Sequence, residues 1–87
     1  MQIWKVPLEI TDEQKIALPK GARILSVQAQ ADVLCLWALI DPDATPRDFT
    51  IRIFGTGHPA DDAVGLEFIG TTQMLDSALV WHVFKEA

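Results

Sequence analysis

One cysteine, no tyrosine and only seven basic residues against twelve acidic ones mark what this 87-residue chain lacks. A lone Cys35 excludes an internal disulfide framework. A net charge of −5 argues against non-specific binding to nucleic-acid phosphates. Long apolar runs are missing too. The longest, Val33 to Ile40, falls far short of the roughly 18 residues a membrane helix needs, so no membrane association is expected. The opening Met1-Gln2-Ile3-Trp4-Lys5-Val6-Pro7 has no basic segment leading into an apolar one, so no secretory signal is visible and a cytoplasmic location is expected. What the chain does have is ordinary globular composition, 49% hydrophobic, in a length that suits a single domain over 1–87. A domain this small has a thin stability margin without disulfides or metal, which points to a tightly packed β core together with self-association.

Apolar residues recur with period two, the spacing of a strand with one face buried. Trp4, Val6, Leu8 and Ile10 share one face, and Pro7, which lacks an N–H, suits an edge strand or a bulge. A shorter strand is expected over Gln14 to Leu18. A third runs from Ala22 to Gln30 with Leu25, Val27 and Ala29 inward, followed by a tight connection at Ala31-Asp32. Val33 to Ile40 is apolar throughout, as expected of a central strand covered on both faces. Phe49 to Phe54 directs Phe49, Ile51 and Ile53 inward and Arg52 outward. Leu66 to Gln73 and Ala78 to Lys85, joined near Asp76-Ser77, supply the last two strands. No helical period is present. Seven short strands with regular turn signals predict an all-β fold, a small antiparallel sandwich or barrel.

Established catalytic motifs are absent. Cys35 lies in the most apolar run, where a thiol packs as a small hydrophobe rather than reacting. His58 and His82 match no zinc spacing with it, so no metal and no cofactor is expected. Asp41-x-Asp43 resembles the start of a calcium loop, but Thr45 and Arg52 stand where later ligands belong, and solvated turn aspartates account for the pair better. Ser26 and Ser77 have no Gly-x-Ser-x-Gly elbow, and Asp61-Asp62 has no apolar pocket to raise a carboxyl pKa. Trp4, Trp37 and Trp81 alternate as core residues do, although Trp4 and Trp81 fall on terminal strands where rim or interface positions are open to them.

The segment Arg52-Ile53-Phe54-Gly55-Thr56-Gly57-His58-Pro59 carries the most chemistry. Gly55 and Gly57 around Thr56 allow backbone N–H groups to converge, and Arg52 and His58 add positive charge, together a candidate cradle for phosphate or carboxylate. It lacks the lysine of a P-loop, and a plain glycine turn with an exposed histidine is the alternative.

The stretches Ile3-Trp4-Lys5-x-Pro7-Leu8, Leu18-Pro19-x-Gly21-Ala22, Ile24-Leu25-Ser26-Val27-Gln28, Leu36-Trp37-Ala38-Leu39, Gly55-Thr56-Gly57-His58-Pro59 and Trp81-His82-Val83-Phe84 resemble a family of short uncharacterised proteins of phages, prophages and their bacterial hosts. The resemblance covers nearly the whole chain, and its Gly-Thr-Gly-His-Pro element is specific. It implies a setting, since small phage accessory proteins often bind host proteins or sequester the nucleotide signals of bacterial defence, and it implies no catalytic residue.

Three functions are therefore expected in order. First comes a non-enzymatic binding module, self-associated, with a small anionic or nucleotide-like ligand at Arg52, Gly55, Thr56, Gly57 and His58. Second is an inhibitor of a host protein acting through the acidic loops Asp41 to Asp48 and Asp61-Asp62, and third an enzyme on a small phosphorylated metabolite using His58.

Overall fold

Period-two alternation resolves into seven strands: β1 (Gln2–Pro7), β2 (Glu13–Pro19), β3 (Arg23–Gln30), β4 (Val33–Ile40), β5 (Pro46–Gly55), β6 (Glu67–Met74) and β7 (Leu79–Lys85). The computed structural model describes residues 1–87. Every pairing is antiparallel, in one sheet of order β1-β4-β3 and a second of order β2-β5-β7-β6. The two sheets pack face to face as an all-β sandwich. The only helical element is one 3₁₀ turn, Asp61–Ala63, inside the β5–β6 loop. No helix is long and apolar enough to cross a membrane.

The core follows from the inward residue of each pleat. Leu34, Leu36, Ala38 and Ile40 of β4 join Ile51 and Ile53 of β5, Val83 of β7 and Leu18 of β2 in one buried cluster. β4 is central in its sheet, as its unbroken apolar run predicts. Its other face, Cys35, Trp37 and Leu39, is covered less completely: Trp37 and Leu39 stay half-buried because no second layer lies over them. Cys35 is only 3% exposed. The register explains this, since Lys5 on β1 reaches across β4 to Gln30 on β3, Nζ to Oε1 at 2.8 Å, at the level of Cys35.

Three local readings change. Leu25, expected inward, is 44% exposed, because a bulge between Ile24 and Ser26 inserts it as an extra residue and turns Ile24 to the core instead. Ile10, expected to share the buried face of Leu8, is 45% exposed. β1 stops at Pro7 on the sheet edge, and the chain leaves the ladder after the Leu8 N–H bonds the Leu34 carbonyl at 2.8 Å. Trp4 also lies at the sandwich margin, where its Nε1 donates to Gln2 Oε1 at 3.0 Å.

The turns tie one side of the sandwich together. Ala31 and Asp32 are both left-handed, φ 49° and 60°, as a two-residue hairpin twisted like its strands requires. Asp32 Oδ1 then accepts the Leu75 N–H at 3.0 Å, fastening the β3–β4 turn to the β6–β7 turn. Nearby, Thr72 Oγ1 accepts the Ala29 N–H at 3.1 Å, so β3 and β6 are joined across the two sheets.

Candidate functional site

β5 ends in a tight turn. His58 N–H bonds the Gly55 carbonyl at 3.1 Å, and Gly57 at the third position has φ +83°, the left-handed value that marks a type II turn and favours glycine. The turn folds His58 back over β5. A Cβ on Gly55 would lie 2.8 Å from His58 Nδ1 and 3.2 Å from Trp81 Cζ3, so only glycine leaves room for both rings. Gly55 pairs with Trp81 in the β5–β7 ladder, which brings the C-terminal tryptophan beneath the loop.

Two clefts open on either side of this stack. One, about 270 Å³, runs between His58 and Pro59 on one side and Ile10, Asp12 and Phe54 on the other. Its neighbour, about 240 Å³, lies between His58 and the Ala78–Val80 segment. Gly55, His58 and Trp81 form the wall they share. The His58 ring makes no hydrogen bond within the protein. Trp81 Nε1 is buried without any acceptor, the only buried side-chain polar atom so placed. An unpaired buried N–H costs about 1–3 kcal/mol, and that cost lies inside the wall, since the indole atom that approaches Gly55 is Cζ3, across the ring system from Nε1.

The other expected residues are more committed. Thr56 N–H bonds the Val80 carbonyl at 3.4 Å, and with His58 N–H also bound internally the loop's amides do not converge on a common point. The Thr56 hydroxyl sits 2.6 Å from His82 Nε2, while the Thr71 hydroxyl sits 2.9 Å from His82 Nδ1. Both ring nitrogens are engaged by hydroxyls, so His82 on β7 is a structural clasp between β6 and the residue that follows β5. Arg52 points outward, as its place in the alternation requires. Its Nε donates to the Asp12 carbonyl at 3.1 Å, its guanidinium lies 5.4 Å from the centre of the Phe54 ring, and Asp62 and Glu13 approach at 3.5 and 3.9 Å. Because Asp12 and Phe54 both line the first cleft, Arg52 stands at its rim.

Thus Gly55 and His58 line both clefts, Thr56 lines one, Gly57 shapes the turn, and Arg52 borders the opening. Trp81 is the wall residue that alternation alone reads as core, and the signal for it is its register opposite Gly55. No three His, Cys, Asp or Glu side chains gather as a metal set. Asp43 N–H bonds Asp41 Oδ1 at 3.0 Å, so the Asp-x-Asp pair closes its own turn.

No curated protein and no solved structure matches the chain. The family described as domain of unknown function DUF7352 matches residues 1–87, and the chain belongs to that family.

Proposed function

We propose that the chain is a non-catalytic binding protein for a small, flat, anion-bearing ligand, of which a nucleotide-like signal is the most concrete form. The observation that carries this reading is the pair of clefts that share Gly55, His58 and Trp81 as their wall, with Arg52 at the rim of the first through its bond to the Asp12 carbonyl. A heteroaromatic ligand meets the local chemistry well. Phe54, Pro59 and Trp81 offer apolar surface on which a flat ring can lie, and His58 offers an uncommitted ring edge. Arg52 supplies the anion end. Asp62 is 77% exposed and pairs with it at 3.5 Å, a contact of the weak surface kind that a phosphate or carboxylate displaces at small cost. The resemblance to phage and prophage proteins gives the setting, in which such a protein withholds a signal in the host cytoplasm.

Isothermal titration against cyclic nucleotides and ADP-ribose derivatives tests the reading. At least one member is expected to bind, with affinity falling about tenfold or more in Trp81→Phe, which cuts back the ring that walls both clefts, and in Arg52→Ala. Silence across the panel, or binding indifferent to both variants in a folded protein, removes the proposal. Ligand recovered intact after long incubation separates binding from turnover.

A further inference from the structure

The two long sides of the sandwich differ. Edge strands β3 and β6 meet along one, where Thr72 takes the Ala29 N–H. Along the other run the edges β1 and β2, which do not pair with each other, and an open edge is a template for a further strand. On β2 the free backbone groups can be read from the bonds already made. The Asp12 carbonyl accepts the Ile53 N–H and the Lys20 N–H bonds the Thr45 carbonyl, so the even-numbered residues between them face β5 while Glu13, Lys15, Ala17 and Pro19 face outward. Both ends are partly closed. The Glu13 carbonyl accepts the Thr11 hydroxyl at 3.2 Å, and Pro19 has no N–H and gives its carbonyl to Ala22 at 3.1 Å. Lys15 and Ala17, free in both groups, lie symmetrically about Ile16. Charge is polarised along the same edge, with Asp12 and Glu13 at one end and Lys20 at the other. Asp12, Lys15, Lys20 and the adjacent Asp48 are exposed and make no ion pair within the chain.

We propose that β2 is a homodimer edge, to which a second copy adds its own β2 antiparallel, about a two-fold axis that passes between the two Ile16 residues and stands perpendicular to the sheet. Lys15 then exchanges both backbone hydrogen bonds with the partner's Ala17, and Ala17 with the partner's Lys15. The two β2-β5-β7-β6 sheets become one continuous sheet. Charge selects the same register. Antiparallel pairing lays Asp12 beside the partner's Lys20 and, by symmetry, Lys20 beside the partner's Asp12. Lys15 lies opposite the partner's Ala17, the residue that β5 in turn opposes with Asp48. That carboxylate stands two strand spacings away, roughly 10 Å, a span that extended lysine and aspartate side chains close over the short alanine. Neighbouring registers lose these contacts. A slip one way sets Lys15 directly opposite its own copy, a destabilising like-charge pair, and a slip the other way sets it opposite Pro19, which has no N–H to give. The pairing needs no ligand, so failure of the binding reading leaves it standing, and the reverse holds.

Sedimentation equilibrium of the full chain, with native mass spectrometry for subunit number, is expected to show a reversible monomer–dimer equilibrium. Ala17→Pro removes an N–H that bonds nothing within one copy, and should weaken the dimer about tenfold or more while circular dichroism remains that of the folded β protein. Asp12→Lys and Lys20→Asp, both at exposed positions, each bring like charges together in a homodimer and should each weaken it several-fold. Mixed, the two charge variants should form a heterodimer about tenfold tighter than either homodimer, because both pairs are then again of opposite sign. A mass that stays monomeric up to millimolar loading overturns the proposal. So does a dimer indifferent to Ala17→Pro, or a mixture of the charge variants that shows no preference for the heterodimer.

Discussion

Along the inner face of β5, Ile53 sits opposite Val83 of β7, and one pleat further on Gly55 sits opposite Trp81. The first pair is nearly closed to solvent, at 4% and 0%, and belongs to the aliphatic core with Leu36 and Ile51. At the second, a residue without a side chain faces the largest side chain in the protein, the indole N–H has no acceptor, and two clefts flank the result. Complementary branched aliphatics fill space and leave nothing to bind. Glycine against tryptophan gives up part of that packing, admits the His58 ring from a loop, and leaves a polar group without a partner. The same strand pair therefore supplies stability at one step and a candidate site at the next.

The largest effect is expected on the filled side. Ile51→Ala removes a fully buried side chain from the centre of the cluster and should cost about 2–5 kcal/mol, a large share of the roughly 5–15 kcal/mol that holds a domain together. Urea denaturation measures it as a lower midpoint at unchanged slope. Ligand affinity of the remaining folded protein should not move, and a loss of affinity equal to that of Trp81→Phe would show that core and site are not separable.

Gly55→Ala is the intermediate case. Its new Cβ would stand 2.8 Å from His58 Nδ1 and 3.2 Å from Trp81 Cζ3. His58 is exposed and free to swing aside, so the stability cost is expected near 1 kcal/mol, the low end for overpacking. The wall between the clefts is lost with that movement. Titration should therefore register a far larger change than denaturation does, the reverse of Ile51→Ala. A cost of several kcal/mol would instead make the His58–Trp81 stack part of the core.

The contrast also explains what could be read before the fold was known. Val33 to Ile40 announces a central strand by composition alone, Pro7 announces an edge, and Ala31-Asp32 announces a turn, because each property is local. Bulges are not local in that sense. Ile24 and Leu25 are both apolar and either could face inward, so which one does depends on how β3 registers against β4. The loop Gly55 to Pro59 is legible as a turn, since Gly57 supplies the left-handed residue it needs. Its wall is not, because Trp81 is brought there by a ladder spanning 26 positions of sequence. Likewise the positive charge of Arg52 is plain from its type, whereas its engagement by Asp62 depends on the path of an irregular loop.

Asp62→Ala should have the smallest effect on folding and the most informative one on binding. The carboxylate is 77% exposed, and an exposed ion pair of this kind contributes less than about 1 kcal/mol, so the denaturation midpoint should barely change. Arg52 would keep its fixed geometry, since its Nε still donates to the Asp12 carbonyl and its plane still lies by Phe54. Freed of one acidic neighbour at the rim of the first cleft, the guanidinium should take an anionic ligand more tightly by several-fold, while Arg52→Ala weakens the same ligand. Titration of both variants with one ADP-ribose derivative makes the comparison at a single site. If Asp62→Ala weakens binding as Arg52→Ala does, the pair works as a unit that holds the loop, and the anion end of the ligand must be sought at His58 instead.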